Sequence, residues 1–103
     1  MDEYVYKVLT MRQWEQFQDD GEFAGSPHDK RDGFIHLSAR HQVAGVIERY
    51  FADQPQVTLL EIDLEGEKLL RWEASSKGEE YPHLYRALRI DEVVDSETVH
   101  VHH

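Results

Sequence analysis

Apolar and polar positions alternate along this chain with two different periods, and each change of period marks a new element. Tyr4-Val5-Tyr6-Lys7-Val8-Leu9 is rich in aromatic and β-branched residues and predicts a first strand. Thr10 with Gln13 three positions on has the capping-box pattern, Trp14 and Phe17 fall on one helical stripe, and Gly21 can close the segment in a left-handed conformation, so a helix follows. From Glu22 to Gly33 the chain carries Gly25, Ser26, Pro27, Asp29, Asp32 and Gly33, a turn-forming composition that predicts a long ordered loop. Phe34-Ile35-His36-Leu37 reads as a short strand, and Ser38 stands where an N-cap would start a second helix. In that helix Val43, Val46, Ile47, Tyr50 and Phe51 recur at helical spacing and form a wide apolar face suited to packing on a sheet.

Asp53, Gln54 and Pro55 end the second helix, and Val57 to Asp63 returns to period two, with Val57 and Leu59 on one face and Thr58, Leu60 and Ile62 on the other. After the Glu65-Gly66 turn, Leu69 to Glu73 predicts a strand with Leu70 and Trp72 on one face and Arg71 and Glu73 on the other. Ser75 to Glu80 is a polar loop, Tyr81 to Tyr85 is apolar again, and a short strand is expected around Ala87 to Ile90. Asp91 to Val94 fits one helical turn, and Thr98 to His103 a closing strand that frays. No repeat, linker or low-complexity tract interrupts residues 1–103, so the expected architecture is one α+β domain with two helices against a mostly antiparallel sheet.

Composition narrows the function. Hydrophobic residues make up 40% of the chain and aromatics 11%, enough to offset ordering entropy and to argue against a disordered tail. There is no cysteine, which excludes disulfides, thiolate nucleophiles and cysteine-ligated metal centres. The N-terminus Met1-Asp2-Glu3-Tyr4 is acidic where a secretory signal would be basic, and no apolar run approaches the ~20 residues that cross a bilayer. A cytoplasmic protein without membrane partners is expected. A formal charge of −10 would repel a phosphate backbone, so no nucleic-acid partner is expected either. The sequence sets no oligomeric state.

The charge is unevenly spread. Residues 26–41 hold Lys30, Arg31 and Arg40 against Asp29 and Asp32, and residues 71–89 hold Arg71, Lys77, Arg86 and Arg89 against Glu73, Glu79 and Glu80, so each segment is net +1 and the remainder −12. The same segments contain Ser26, His28, His36, Ser38, Trp72, Tyr81, His83 and Tyr85, which donate hydrogen bonds, stack on rings and carry protons. Brought together, they would make an aromatic-lined, weakly positive cleft for a small-molecule ligand. Each residue also has a plainer role. His36 can be a core histidine, Ser38 a cap, Glu73 one half of an ion pair with Arg71, and Tyr81 to Tyr85 an aromatic plug over the core edge, rigidified by Pro82. In the sharper reading Glu73 is a general base or ribose-hydroxyl acceptor oriented by Arg71. No metal set is read: His36 and His41 straddle a strand–helix junction, and His100 with His102 lie on a polar end. Dinucleotide-binding, phosphate-loop, zinc-protease and serine-hydrolase motifs are all missing.

Tyr6-Lys7-Val8-Leu9 with Trp14, Phe23-Ala24-Gly25-Ser26, Asp29, Asp32-Gly33-Phe34-Ile35-His36-Leu37-Ser38, Arg71-Trp72-Glu73 and Tyr81-Pro82-His83-Leu84-Tyr85 together resemble the bacterial domain-of-unknown-function family 952, from about Tyr6 to Val94. The resemblance implies a compact fold of the ADP-ribosyltransferase-like group. Ile35-His36-Leu37-Ser38 also looks like the His-Leu-Ser strand of NAD-dependent RNA 2′-phosphotransferases. That likeness implies that His36 and Ser38 hold a ribose or phosphate and brings in NAD as a cofactor, although no residue motif fixes one. Glu73 and His36 are then the catalytic candidates, and Ser26, Asp32, Ser38, Arg71, Trp72, Tyr81, His83 and Tyr85 the ligand-binding ones. Where that family carries Arg-Gly after Trp-Glu, this chain has Lys77-Gly78, a point charge in place of a bidentate fork. The expected function is binding of a nucleotide-like or sugar-phosphate ligand, with ribosyl transfer or hydrolysis as its reaction class. The alternative is a non-catalytic module for a metabolite or a protein.

Overall fold

The computed structural model describes residues 4–101. Strand β1 (Tyr4–Leu9) leads through the Thr10 cap into α1 (Met11–Asp20), where the Thr10 hydroxyl accepts from the Gln13 amide and the Gln13 side chain accepts from the Thr10 amide. Gly21 ends the helix at φ 79°, as its position implied. After β2 (Glu22–Phe23), the stretch expected to be a loop contains a third helix, α2 (Pro27–Asp32). Its start is a second capping box, Ser26 with Asp29, with Pro27 at the first helical position, and Gly33 closes it at φ 87°.

Strand β3 (Ile35–His36) is followed by a 3-10 turn (Arg40–Gln42) and α3 (Val43–Tyr50). Ala39, not Ser38, stands at the start of that turn. Ser38 is buried and exchanges two backbone hydrogen bonds of 2.8 Å with Tyr6, so the expected cap is instead an isolated β-bridge. The remaining elements are β4 (Gln56–Asp63), β5 (Leu70–Ala74), β6 (Glu80–Leu84), β7 (Leu88–Arg89), a 3-10 turn (Ile90–Glu92) and β8 (Val93–His100). The closing strand thus starts five residues before its expected position, while His102 and His103 lie outside the described residues.

All strand pairing is antiparallel. The strands form one sheet in the order β1-β4-β8, a second in the order β3-β6-β5 and a two-stranded ribbon of β2 and β7. The Tyr6–Ser38 bridge stitches the first sheet to the second along the β1 edge. Strict alternation buries β1 and β4 of the first sheet on both faces. Val5, Leu9, Leu60 and Ile62 join Phe17, Ile35, Leu37, Leu84 and Leu88 in the larger core, and Val8, Val57 and Leu59 pack beneath Val43, Val46 and Ile47 of α3. Lys7 lies between Val5 and Leu9 on the inward face and is buried with them, an apolar position that an ammonium occupies only when paired. No helix among the described residues is long and apolar enough to cross a membrane.

Candidate functional site

The partner of Lys7 organises one side of a cleft. As the third helical residue of α2, Asp29 points its carboxylate back toward the helix start, where Oδ2 accepts from the Ser26 amide at 2.8 Å. The same carboxylate meets Lys7 Nζ at 3.2 Å and accepts from the His36 amide at 3.0 Å. His36 Nδ1 lies 2.7 Å from its Oδ1. Lys7 also donates to the His36 carbonyl at 2.8 Å, so one buried ion pair fixes both the backbone and the ring of His36. Burial alone would raise the Asp29 carboxyl, but His36, Lys7 and the two amides together hold it well below the usual carboxylate range. Burial pushes the Lys7 ammonium below the ordinary lysine value, and Asp29 counteracts that push.

On its other side His36 meets Asp32, with Nε2 at 3.0 Å from Oδ2. Asp32 sits one turn from His28 on α2, and His28 Nε2 is 3.3 Å from the same oxygen. Burial raises the Asp32 carboxyl, but Arg31, His36 and His28 together outweigh it and hold the carboxyl low.

The register of the second sheet places His83 directly opposite His36, Arg71 opposite His83, and Glu73 opposite Tyr81, so all five share one face. Phe34 stacks on His83 with ring centroids 4.0 Å apart and the planes 24° from parallel. Behind His83, Glu73 Oε1 lies 2.7 Å from its Nδ1 and accepts from the Tyr85 hydroxyl at 2.6 Å. These two bonds, Tyr85 first, hold the Glu73 carboxyl below its ordinary value, and Glu73 pushes the Tyr85 phenol up. Glu73 therefore takes its hydrogen bonds from His83 and Tyr85, where an ion pair with Arg71 was expected. His83 is the diagonal neighbour of Glu73 across the β5–β6 pair, opposite Arg71, and Tyr85 follows directly after the end of β6.

A cavity of ≈ 740 Å³ opens along this face, within the size range of small-molecule sites. Of the residues expected at a site, Ser26, Asp32, His36, Ser38, Tyr81 and His83 line it. Glu73 and Tyr85 stand behind it and reach it through His83. Arg71 is exposed on the same face without lining the cavity, and Trp72 is exposed on the opposite face of β5. His28, expected in the cleft from its segment, also lines it, and further lining residues carry no sign of a ligand role in the sequence: Lys7, Asp29, Phe34, Arg49 and Tyr50 among them. The signal that could have found Asp29 is the Ser26-x-x-Asp29 capping box ahead of Gly33, which marks a helix where only turn residues were read. That helix also brings His28 and Asp32 onto one face next to His36.

A family model described as a protein of unknown function, DUF952, matches residues 8–96. The crystal structure of protein CC0527 from Caulobacter crescentus superposes with a TM-score of 0.88 at 38% identity, covering 93% of this chain and 85% of that one. A double mutant of the same protein gives a TM-score of 0.87 at 38% identity over the same shares of both chains. Its solution structure gives 0.82 at 39% identity, over 91% of this chain and 82% of that one. No curated protein matches the chain.

Proposed function

Because this chain belongs to the DUF952 family of proteins of unknown function, we propose its function from its own geometry: the domain binds a small nucleotide-like or sugar-phosphate ligand, of the NAD or ADP-ribose class, in the cleft between α2, α3 and β6. One observation carries this reading. The rings of Phe34, Tyr50, Phe51 and Tyr81 and the cations Arg49 and Lys77 line the same cavity in a chain of charge −10. Rings accept a base by stacking, and cations spared from the general acidity accept phosphate. The histidines between them suit a ribose, because each has one nitrogen fixed by a carboxylate, Asp29 for His36 and Glu73 for His83.

Turnover at a ribosyl carbon fits the same set. Bond cleavage there develops oxocarbenium character, which a nearby carboxylate–imidazole pair stabilises and to which it can deliver a deprotonated hydroxyl or water. Glu73 acts in this scheme by orienting His83, with His36 and Ser38 positioning the sugar.

The test is calorimetric titration of the protein with NAD, ADP-ribose, mononucleotides and sugar phosphates, followed by an assay for nicotinamide or base release with any binder. Saturable one-site binding is expected, weakened about tenfold or more by Arg49→Ala and by Tyr50→Ala, both side chains being peripheral to the core. Silence across the panel would overturn the reading in favour of a module for another metabolite or a protein.

A further inference from the structure

His28, Asp32 and His36 converge on one point of the cleft wall, and the ligand reading does not require that convergence. Each of the three residues offers one ligand atom, and these atoms all lie within 4.8 Å of one another. The separations from Asp32 Oδ2 are 3.3 Å to His28 and 3.0 Å to His36. Ligand atoms placed tetrahedrally around an ion at bond lengths of ~2.0–2.1 Å are ~3.3 Å apart. Two edges of such a tetrahedron are therefore already set.

Behind the cluster, Asp29 completes the arrangement that metal-bound imidazoles require. Its oxygen is 2.7 Å from His36 Nδ1, and the carboxylate is anchored by Lys7 and two backbone amides in a position only 2% exposed. A carboxylate on the far nitrogen fixes the tautomer that leaves Nε2 free to bind an ion. Hydrogen-bond counting points the same way. A neutral imidazole carries one N–H, yet both ring nitrogens of His36 face carboxylate oxygens, and His28 Nε2 faces the Asp32 oxygen that His36 already uses. A cation held between the two Nε2 atoms and Asp32 satisfies all three, with the single N–H of His36 donated to Asp29.

We infer that His28, Asp32 and His36 bind one divalent transition-metal ion of the zinc class, positioned by Asp29. Two imidazoles and one carboxylate are the donor set of such ions, while magnesium and calcium take oxygen ligands. Three protein ligands leave a coordination position, and all three residues line the cleft, so an exchangeable water or a ligand oxygen can reach the ion from the cavity. The ion would be a Lewis acid and phosphate anchor on the α2 side of the cleft, opposite the His83–Glu73 pair.

The experiment uses the chain carrying His100→Ala, His102→Ala and His103→Ala, so that terminal histidines contribute nothing. It is titrated with Zn²⁺ in a calorimeter and with Co²⁺ by visible absorption. One ion per chain is expected, with cobalt ligand-field bands. Affinity should fall on the order of 100-fold or more in His28→Ala and in Asp32→Asn, beyond the ~10–100-fold of a lost supporting contact. His28 and Asp32 are surface side chains of α2, and circular dichroism should show the ion-free variants folded. His41→Ala, at an exposed histidine elsewhere, should bind as the parent does. Absence of one-per-chain binding, affinity unchanged in His28→Ala, or an equal loss in His41→Ala would each overturn the inference.

Discussion

Asp29→Asn and Lys7→Met remove opposite halves of one buried ion pair, and the structure predicts that they differ sharply in cost. Lys7 has two partners, Asp29 and the His36 carbonyl, so Asp29→Asn leaves a buried ammonium with neutral acceptors only and no counter-charge. Breaking a buried pair in this way costs about 3–5 kcal/mol. Asp29, in contrast, keeps the Ser26 amide, the His36 amide and the His36 ring when Lys7 is removed. Lys7→Met also ends the burial penalty of the ammonium, and its net cost is roughly 1–2 kcal/mol, mostly for the carbonyl left without its donor. Urea unfolding followed by the fluorescence of Trp14 and Trp72 measures both. At roughly 4–5 °C per kcal/mol for a domain of this size, Asp29→Asn should lower the melting temperature by about 12–25 °C and Lys7→Met by less than about 10 °C. The double variant should be more stable than Asp29→Asn alone, because the stranded charge is gone. Equal costs for the two single changes, or a double variant worse than both, would refute the assignment of Asp29 as the hub.

Other outcomes follow from neighbouring geometry. Gly25 has φ 121°, and a Cβ there would lie 2.9 Å from the Asp29 Cβ, so Gly25→Ala should cost about 1–3 kcal/mol in denaturant unfolding. Glu92 belongs to a cluster in which Arg86 also binds Glu67 at 2.7 Å. Burial raises the Glu92 carboxyl but Arg86 more than compensates, and its folded value lies below the ordinary 4.5. Its stabilisation is thus complete above about pH 4.5 and is lost as pH falls through the depressed folded value, so an acid titration of stability should be flatter in Glu92→Gln than in the parent. Glu73→Gln, at a solvent-facing carboxylate, should melt within about 3 °C of the parent while weakening ligand binding and shifting its pH profile, since it unties His83.

The parts of the fold written in local rules were legible in the sequence. The Thr10–Gln13 box with Gly21, the apolar face from Val43 to Phe51 and the two-faced β4 all depend on residues close in the chain or on a period repeated several times. The misreadings share a cause, which is long-range pairing or overlapping signals. Ser38 has the residue type of a cap, but its amide and carbonyl are claimed by Tyr6, 32 positions away. Residues 26–33 have the composition of a loop because a helix of six residues is largely made of its own caps. For the candidate cleft, residue type pointed to His36, His83 and Glu73, and segment charge to the two stretches that meet along it. Missing was the carboxylate beneath them, because a lysine in a strand and an aspartate in a presumed loop show no sign in sequence that they are buried together.

Strand β8 lies at the margin of the first sheet, and among the described residues no strand pairs with its outer side. The outward-pointing half of the backbone groups of an eight-residue, mostly exposed edge strand would ordinarily recruit another chain and seed fibres. Here Asp95 and Glu97 alternate with Ser96 and Thr98 along that border, so two copies paired along it would set acidic groups beside acidic groups. The surplus of negative charge that keeps the cleft distinct thereby also guards the chain against self-templated aggregation, and exchanging Asp95 and Glu97 for neutral residues would remove that guard while leaving the core untouched.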